Sequence, residues 1–154
     1  MQLIADALHA SRIRELKRYI DVVRYDHEEK SPEFSVTDEG VRELVIDATT
    51  LKKTREAQLI AVIHEIVHAQ QYHRRRQLQW NGDNLSAMFD TFYGELYNFE
   101  KRSGRYNYAR DEVIAEAVAL RRVGRFLGTI TPQQSAESLQ YIAYYRQIME
   151  LNKA

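Results

Sequence analysis

The sequence contains no cysteine, so disulfides and thiolate metal sites are excluded, and any metal-binding cluster has to be assembled from His, Asp and Glu. It also lacks a charge imbalance: 22 basic residues stand against 22 acidic ones, which removes the electrostatic argument for general binding to nucleic acid or to an anionic membrane surface. Nowhere do the roughly 18 apolar residues of a membrane span run together, and Met1-Gln2-Leu3-Ile4-Ala5-Asp6 offers neither a basic start nor an extended apolar stretch. A protein with no membrane partner is therefore expected, cytoplasmic or exported without a conventional signal peptide. With two prolines and six glycines the chain shows no linker, low-complexity tract or repeat, and its 154 residues suffice for a single domain, 1–154, with a core of its own.

What is present is mostly helical periodicity. Leu3, Ile4, Ala7, Leu8, Ile13, Leu16, Ile20 and Val23 recur at spacings of three and four, which predicts an amphipathic helix over residues 2–25 with a break near Ser11. Ser31-Pro32 closes that region, because a residue before proline is pushed out of the helical basin. Residues 34–37 alternate like a short strand, Asp38-Glu39-Gly40 supplies turn chemistry, and residues 41–50 are rich in Val, Ile, Leu and Thr, so a β-hairpin is expected. Thr54 then caps a helix running to about Arg76. Residues 80–84 read as a loop, 85–102 as a helix ending in Lys101 and Arg102 before Gly104, 105–109 as a loop, and 110–127 as a helix stopped by Gly128. Thr131, Pro132 and Gln134 form a capping box for a last helix. The fold class expected is α+β, mainly helical.

Within the third segment, His64-Glu65-Ile66-Val67-His68 sits in an apolar helical run. Residues four apart on a helix lie one above the other, so His64 and His68 aim at a single point that can hold a metal. Glu65 is about 100° around the helix, unsuited to join them as a ligand but able to reach a water there. This is the H-E-x-x-H arrangement of zinc hydrolases, two ligands and a general base.

A catalytic zinc needs a third protein ligand and an open position. His73 is nearest in sequence, yet it stands about 140° from His68 on the same helix and cannot converge with the pair while that helix continues. The metzincin pattern asks for glycine and histidine where this chain has Gln71 and Arg74. The better candidate is Asp111-Glu112-Val113-Ile114-Ala115-Glu116-Ala117, in which Glu112 and Glu116 share a helix face, so that one carboxylate can bind the metal while the other fixes the tautomer of a ligand histidine.

His64-Glu65-x-x-His68 followed by Glu112-x-x-Ala115-Glu116-Ala117 resembles the gluzincin metallopeptidases, most closely the anthrax lethal-factor-like group and the compact minigluzincins. The resemblance covers roughly residues 41–127, and its first half is much more specific than its second. It implies a compact zincin-like domain with a small hairpin or sheet beside the H-E-x-x-H helix. His64, His68 and Glu112 would be zinc ligands, Glu65 the general base and Glu116 a carboxylate supporting a ligand. It further implies hydrolysis of a protein or peptide substrate that pairs with an edge strand, expected within residues 43–48. The lethal-factor-like enzymes carry an oxyanion-stabilising tyrosine two turns before the glutamate ligand, where this chain has Arg105. Tyr106 and Tyr108 are the substitutes expected to act from the loop, Tyr106 ahead of Tyr108, with Arg105 and Arg110 as alternative donors.

Two rival readings come from other classes. A non-catalytic zinc module would keep the ligands and cut nothing, but such a site prefers four protein ligands and has no use for Glu65. Nucleic-acid binding would rest on His73-Arg74-Arg75-Arg76 near Trp80, and cations at a helix C-terminus are explained by the helix dipole alone.

Overall fold

The computed structural model describes residues 2–28, 31–78 and 94–153. It is an α+β domain, mainly helical, with one three-stranded sheet. The elements are α1 (Gln2–Ala10), β1 (Val22–Asp26), β2 (Glu33–Val36), β3 (Arg42–Asp47), α2 (Ala48–Leu51), α3 (Arg55–Leu78), α4 (Arg102–Leu127) and α5 (Pro132–Leu151), with a 3-10 turn at Leu16–Arg18. None of the described helices is long and apolar enough to cross a membrane.

The helix expected over 2–25 ends at Ala10, and residues 22–26 form a strand instead. Arg12 adopts φ 55°, and its N–H donates to His9 O while Ile13 N–H donates to Leu8 O. This is the Schellman helix stop, which usually recruits glycine. The break expected near Ser11 is therefore present, made with an arginine instead of a glycine in the left-handed position, and it ends the helix outright. Ile13, Leu16 and Ile20 still reach the core, from a loop and a single turn rather than from a helical stripe.

β2 and β3 form the expected hairpin, antiparallel with Phe34 opposite Leu44, and its turn uses Gly40 at φ 83°. β3 stops at Asp47, whose carboxylate caps α2 by accepting from Thr50 N–H, so the strand is shorter than the Val/Thr-rich run suggests. β1 pairs in parallel with the other side of β3. β3 is therefore the central strand, and the edge strand expected within 43–48 is not an edge. Among the described residues, the edges of the sheet are β1 and β2.

Thr54 caps α3 through its hydroxyl, which accepts from Ala57 N–H. Leu59, Val62, Ile63 and Ile66 on α3 are completely buried, together with Leu44 and Ile46 of β3 and Ala115, Ala119 and Val123 of α4. α3 thus runs between the sheet and α4, with α5 packed on α4.

Two boundaries in the second half differ from expectation. Half of the helix expected over 85–102, and the whole loop expected over 80–84 with Trp80, lie outside the described residues. Lys101 and Arg102 do not close a helix: Lys101 is the N-cap of α4, and the loop expected over 105–109 is helical. Gly104 is there for space, since a Cβ would fall 1.9 Å from the Asn98 carbonyl oxygen. At α5 the Thr131 hydroxyl accepts from Gln134 N–H as the capping box requires, but the reciprocal partner is Glu56 of α3, which accepts from Thr131 N–H at 3.1 Å.

Candidate metal centre

α3 carries His64 and His68 one turn apart on the side facing α4, and α4 presents Glu112 and Glu116 at the same spacing. The helices bring four side chains together. His64 Nε2 lies 3.1 Å from His68 Nε2 and 3.0 Å from Glu112 Oε2, and His68 Nε2 lies 3.1 Å from Glu112 Oε1. The ligand atoms of His64, His68 and Glu112 all fall within 4.8 Å of one another, so this group can hold a metal ion. Two nitrogens bound to one ion at about 2.0–2.1 Å with tetrahedral angles would stand roughly 3.3 Å apart, close to the observed separation.

The outer nitrogens of both rings are committed. His64 Nδ1–H donates to Glu116 Oε2 at 2.8 Å, and Glu116 Oε1 in turn accepts from the Ser138 hydroxyl at 2.8 Å. His68 Nδ1 lies 2.8 Å from Gln71 Oε1. With Nδ1 so engaged, each ring is left with Nε2 facing the Glu112 carboxylate, an arrangement that could hold a cation.

The electrostatics agree. Burial opposes protonation of His64, but hydrogen bonds with Glu112 and Glu116 outweigh it and hold the ring pKa up at about 10. Burial acts against His68 in the same way, and Glu112 again reverses it, leaving the pKa raised. Glu112 is pulled far below the ordinary carboxylate range by the two histidines in spite of its own burial. A centre that binds a proton this firmly is electronegative enough for a metal, with which the proton must compete.

Glu65 points to the sheet side of the same centre. Its Oε2 accepts from Phe34 N–H at 2.7 Å, and Oε1 lies 4.0 Å from His64 Nε2. Phe34 N–H therefore faces away from β3, which makes β2 the edge strand bordering the site. Burial raises the Glu65 pKa, against the pull of the two histidines and the Phe34 amide.

Two recesses open on either side of the cluster. One, of about 990 Å³, runs from His64 and Glu65 along the N-terminal half of α3 to Lys52 and Lys53. The other, of about 370 Å³, is bounded by Glu65, His68 and Glu112 and walled by Phe34, Tyr108 and Tyr141. Glu65 and Tyr141 border both.

The tyrosine expectations fare unequally. With residues 102–127 helical, Tyr108 stands one turn before Glu112 on the same face and lines the smaller recess. Tyr106 is about 120° away from Glu112 on that helix and does not line this recess, so the favoured oxyanion candidate is turned from the centre. Arg105 does fall two turns before Glu112, but its guanidinium is engaged by Asn152 Oδ1 at 2.7 Å and Phe99 O at 2.6 Å. Arg110 leans on Asp111 at 3.5 Å. His73 packs edge-on against Tyr19 at 5.0 Å, away from the ligand pair. In the basic cluster that contains it, Arg75 is drawn onto Asp111 at 2.5 Å, so the cluster is no uniform solvated patch.

Tyr141 stands at the centre without having been expected there from the sequence. Its hydroxyl donates to Glu112 Oε2 at 2.5 Å and its ring stands edge-on to His64 at 5.4 Å. Burial and the adjacent Glu112 carboxylate push its phenol pKa far above the usual value, and Tyr108 is raised for the same two reasons. A trace existed in the sequence: Ser138, Tyr141 and Tyr145 share a face of α5 at spacings of three and four. Comparison of the chain with protein-family models, curated proteins and solved structures gives no match.

Proposed function

We propose that the chain is a zinc-dependent endopeptidase of the gluzincin type, with His64, His68 and Glu112 as metal ligands. The supporting observation is that two Nε2 lone pairs and a carboxylate converge within 4.8 Å while a second, non-ligand carboxylate, Glu65, borders the same point and both recesses. A purely structural site has no need of that fourth group or of open space on either side.

A zinc ion held there supplies Lewis acidity toward water and toward the scissile carbonyl. The remaining chemistry belongs to the chain. Glu65 accepts the proton of the attacking water on Oε1, since Oε2 is held by Phe34 N–H, and its burial-raised pKa suits a base that later returns the proton to the leaving amine. Tyr141, kept protonated at neutral pH by burial and by Glu112, is the donor for the oxyanion, and Tyr108 lines the recess from the other side. Glu116 and Ser138 hold the His64 ring in orientation. An extended peptide runs along the outer edge of β2 beside the Phe34 N–H that Glu65 holds, with the scissile bond carried past Glu65.

The Phe34 contact also favours a second reading, a non-catalytic metal module in which Glu65 serves only to join α3 to β2. Glu65→Gln separates the two. The amide oxygen can still accept from Phe34 N–H, so the variant should fold and bind one zinc per chain, and peptide cleavage should be abolished because the amide takes no proton. Unchanged turnover in that variant removes Glu65 from the mechanism, and a wild-type protein that binds zinc and cleaves no peptide leaves the module reading.

A further inference from the structure

We propose that Gln71 is a positioning residue that fixes the tautomer of His68 and so turns its Nε2 lone pair to the metal position. The inference rests on the metal-binding part of the reading above and not on its chemistry.

The argument starts from a group with no choice. The backbone carbonyl of Asp111 can only accept, and the Gln71 amide approaches it at 3.3 Å, so the amide atom facing it must be the NH₂ donor. The remaining atom of the amide, Oε1, is then the one 2.8 Å from His68 Nδ1. An amide oxygen cannot donate. His68 Nδ1 therefore carries the hydrogen, and in the neutral ring Nε2 is left bare, 3.1 Å from His64 Nε2 and 3.1 Å from Glu112 Oε1. The reversed amide would set two acceptors against each other at Asp111, and Gln71 is only 7% exposed, so water does not repair that arrangement.

The placement follows from helix geometry. Gln71 is three residues after His68 on α3 and shares its face. Asp111 immediately precedes Glu112 on α4, so the amide spans the two helices where their ligands meet. The two histidines are thus held differently, His64 by the Glu116 carboxylate and His68 by a neutral amide whose orientation is set by main chain. No other uncharged side chain of this length offers an acceptor at one atom and a donor at its neighbour.

The test reads metal binding alone. Zinc-free wild-type, Gln71→Met and Gln71→Glu proteins are titrated with Co²⁺ in competition with a chelator, following the visible absorption of the bound ion, and ¹⁵N imidazole shifts are recorded with Zn²⁺ bound. Gln71→Met should bind Co²⁺ about 10–100-fold more weakly, the usual loss when a ligand histidine loses its outer partner. Gln71→Glu keeps an acceptor for Nδ1–H but sets its second oxygen against the Asp111 carbonyl, so it should lose affinity too, though clearly less than Gln71→Met. In the wild-type spectrum His68 should carry hydrogen on Nδ1 and metal on Nε2. Wild-type affinity in Gln71→Met, or an equal loss in both variants, overturns the proposal, as does a wild-type His68 bound through Nδ1, a result that stands even if Gln71→Met fails to fold. Wild-type protein that binds no Co²⁺ refutes the metal centre itself.

Discussion

Replacing Tyr141 with phenylalanine removes one oxygen and leaves the ring that stands edge-on to His64. In the resting structure that oxygen donates to Glu112 Oε2 at 2.5 Å, and Glu112 keeps both histidines as partners without it, so the loss of stability should lie near the low end for a bond to a charged group, about 1.5 kcal/mol. For a chain of this size that is a fall in Tm of roughly 3–6 °C. The effect on catalysis should be larger. A hydroxyl that binds more strongly as negative charge develops on the carbonyl oxygen is worth about 2.7–4 kcal/mol to the transition state, so kcat should drop about 100- to 1000-fold with KM almost unchanged. The assay is steady-state cleavage of a fluorogenic peptide at saturation, with zinc content measured on the same samples to separate a lost donor from a lost metal. Tyr106→Phe is the internal control, because its hydroxyl is turned away from the recess that Tyr108 and Tyr141 line. Wild-type kcat in Tyr141→Phe with full zinc, or an equal fall in Tyr106→Phe, would refute the reasoning.

Two further predictions concern the scaffold. Arg12 is exposed and holds φ 55°, so Arg12→Gly should relieve left-handed strain without losing a packing contact and raise stability by about 0.5–1 kcal/mol after the entropy of glycine in the unfolded chain is counted; a lower Tm in that variant would show that the arginine side chain stabilises the helix stop. The Asp21 carboxylate, at the start of β1, accepts three hydrogen bonds from Arg42 of β3, chiefly from the guanidinium, which lower its pKa to about 2. A depressed carboxylate pKa gives stability that is present above the unfolded value and lost as pH falls through about 2. With its side chain 40% exposed the contribution is discounted to below about 1 kcal/mol. Asp21→Asn should therefore be less stable than wild type by about that amount in urea denaturation at pH 7, the gap closing toward pH 2, and a gap independent of pH would count against the ion pair.

The residues legible in the sequence are those whose partners are close in the chain or repeat with a regular period. His64 and His68 announce themselves because one turn of helix separates them, and Glu112 with Glu116 because the same spacing recurs on α4. The cap at Thr131 and the turn at Gly40 are equally local. What was hidden depends on other elements. Val23 continues the three-and-four spacing of Leu16 and Ile20, so the break expected near Ser11 does not by itself announce that a strand follows, and the partner of β3 on its far side stays hidden. The edge expected within residues 43–48 comes with the family resemblance, and the parallel pairing with β1 makes that strand central. The loop expected before Glu112 had the same kind of consequence: a loop would have let Tyr106 and Tyr108 reach the centre equally, whereas a helix separates their directions by about 160° around the axis and leaves only Tyr108 on the Glu112 face. Tyr141 and Gln71 were missed for opposite reasons. Tyr141 reaches Glu112 across 29 residues of chain, beyond any periodic signal, whereas Gln71 lies three residues from His68, at the position where the metzincin pattern asks for glycine. A polar residue that continues the face of a ligand pair into a buried helix–helix contact has a reason to be there. On α3 that face reads His64, His68, Gln71, and its third member is needed because a buried imidazole nitrogen must find an acceptor before its other nitrogen can serve a metal.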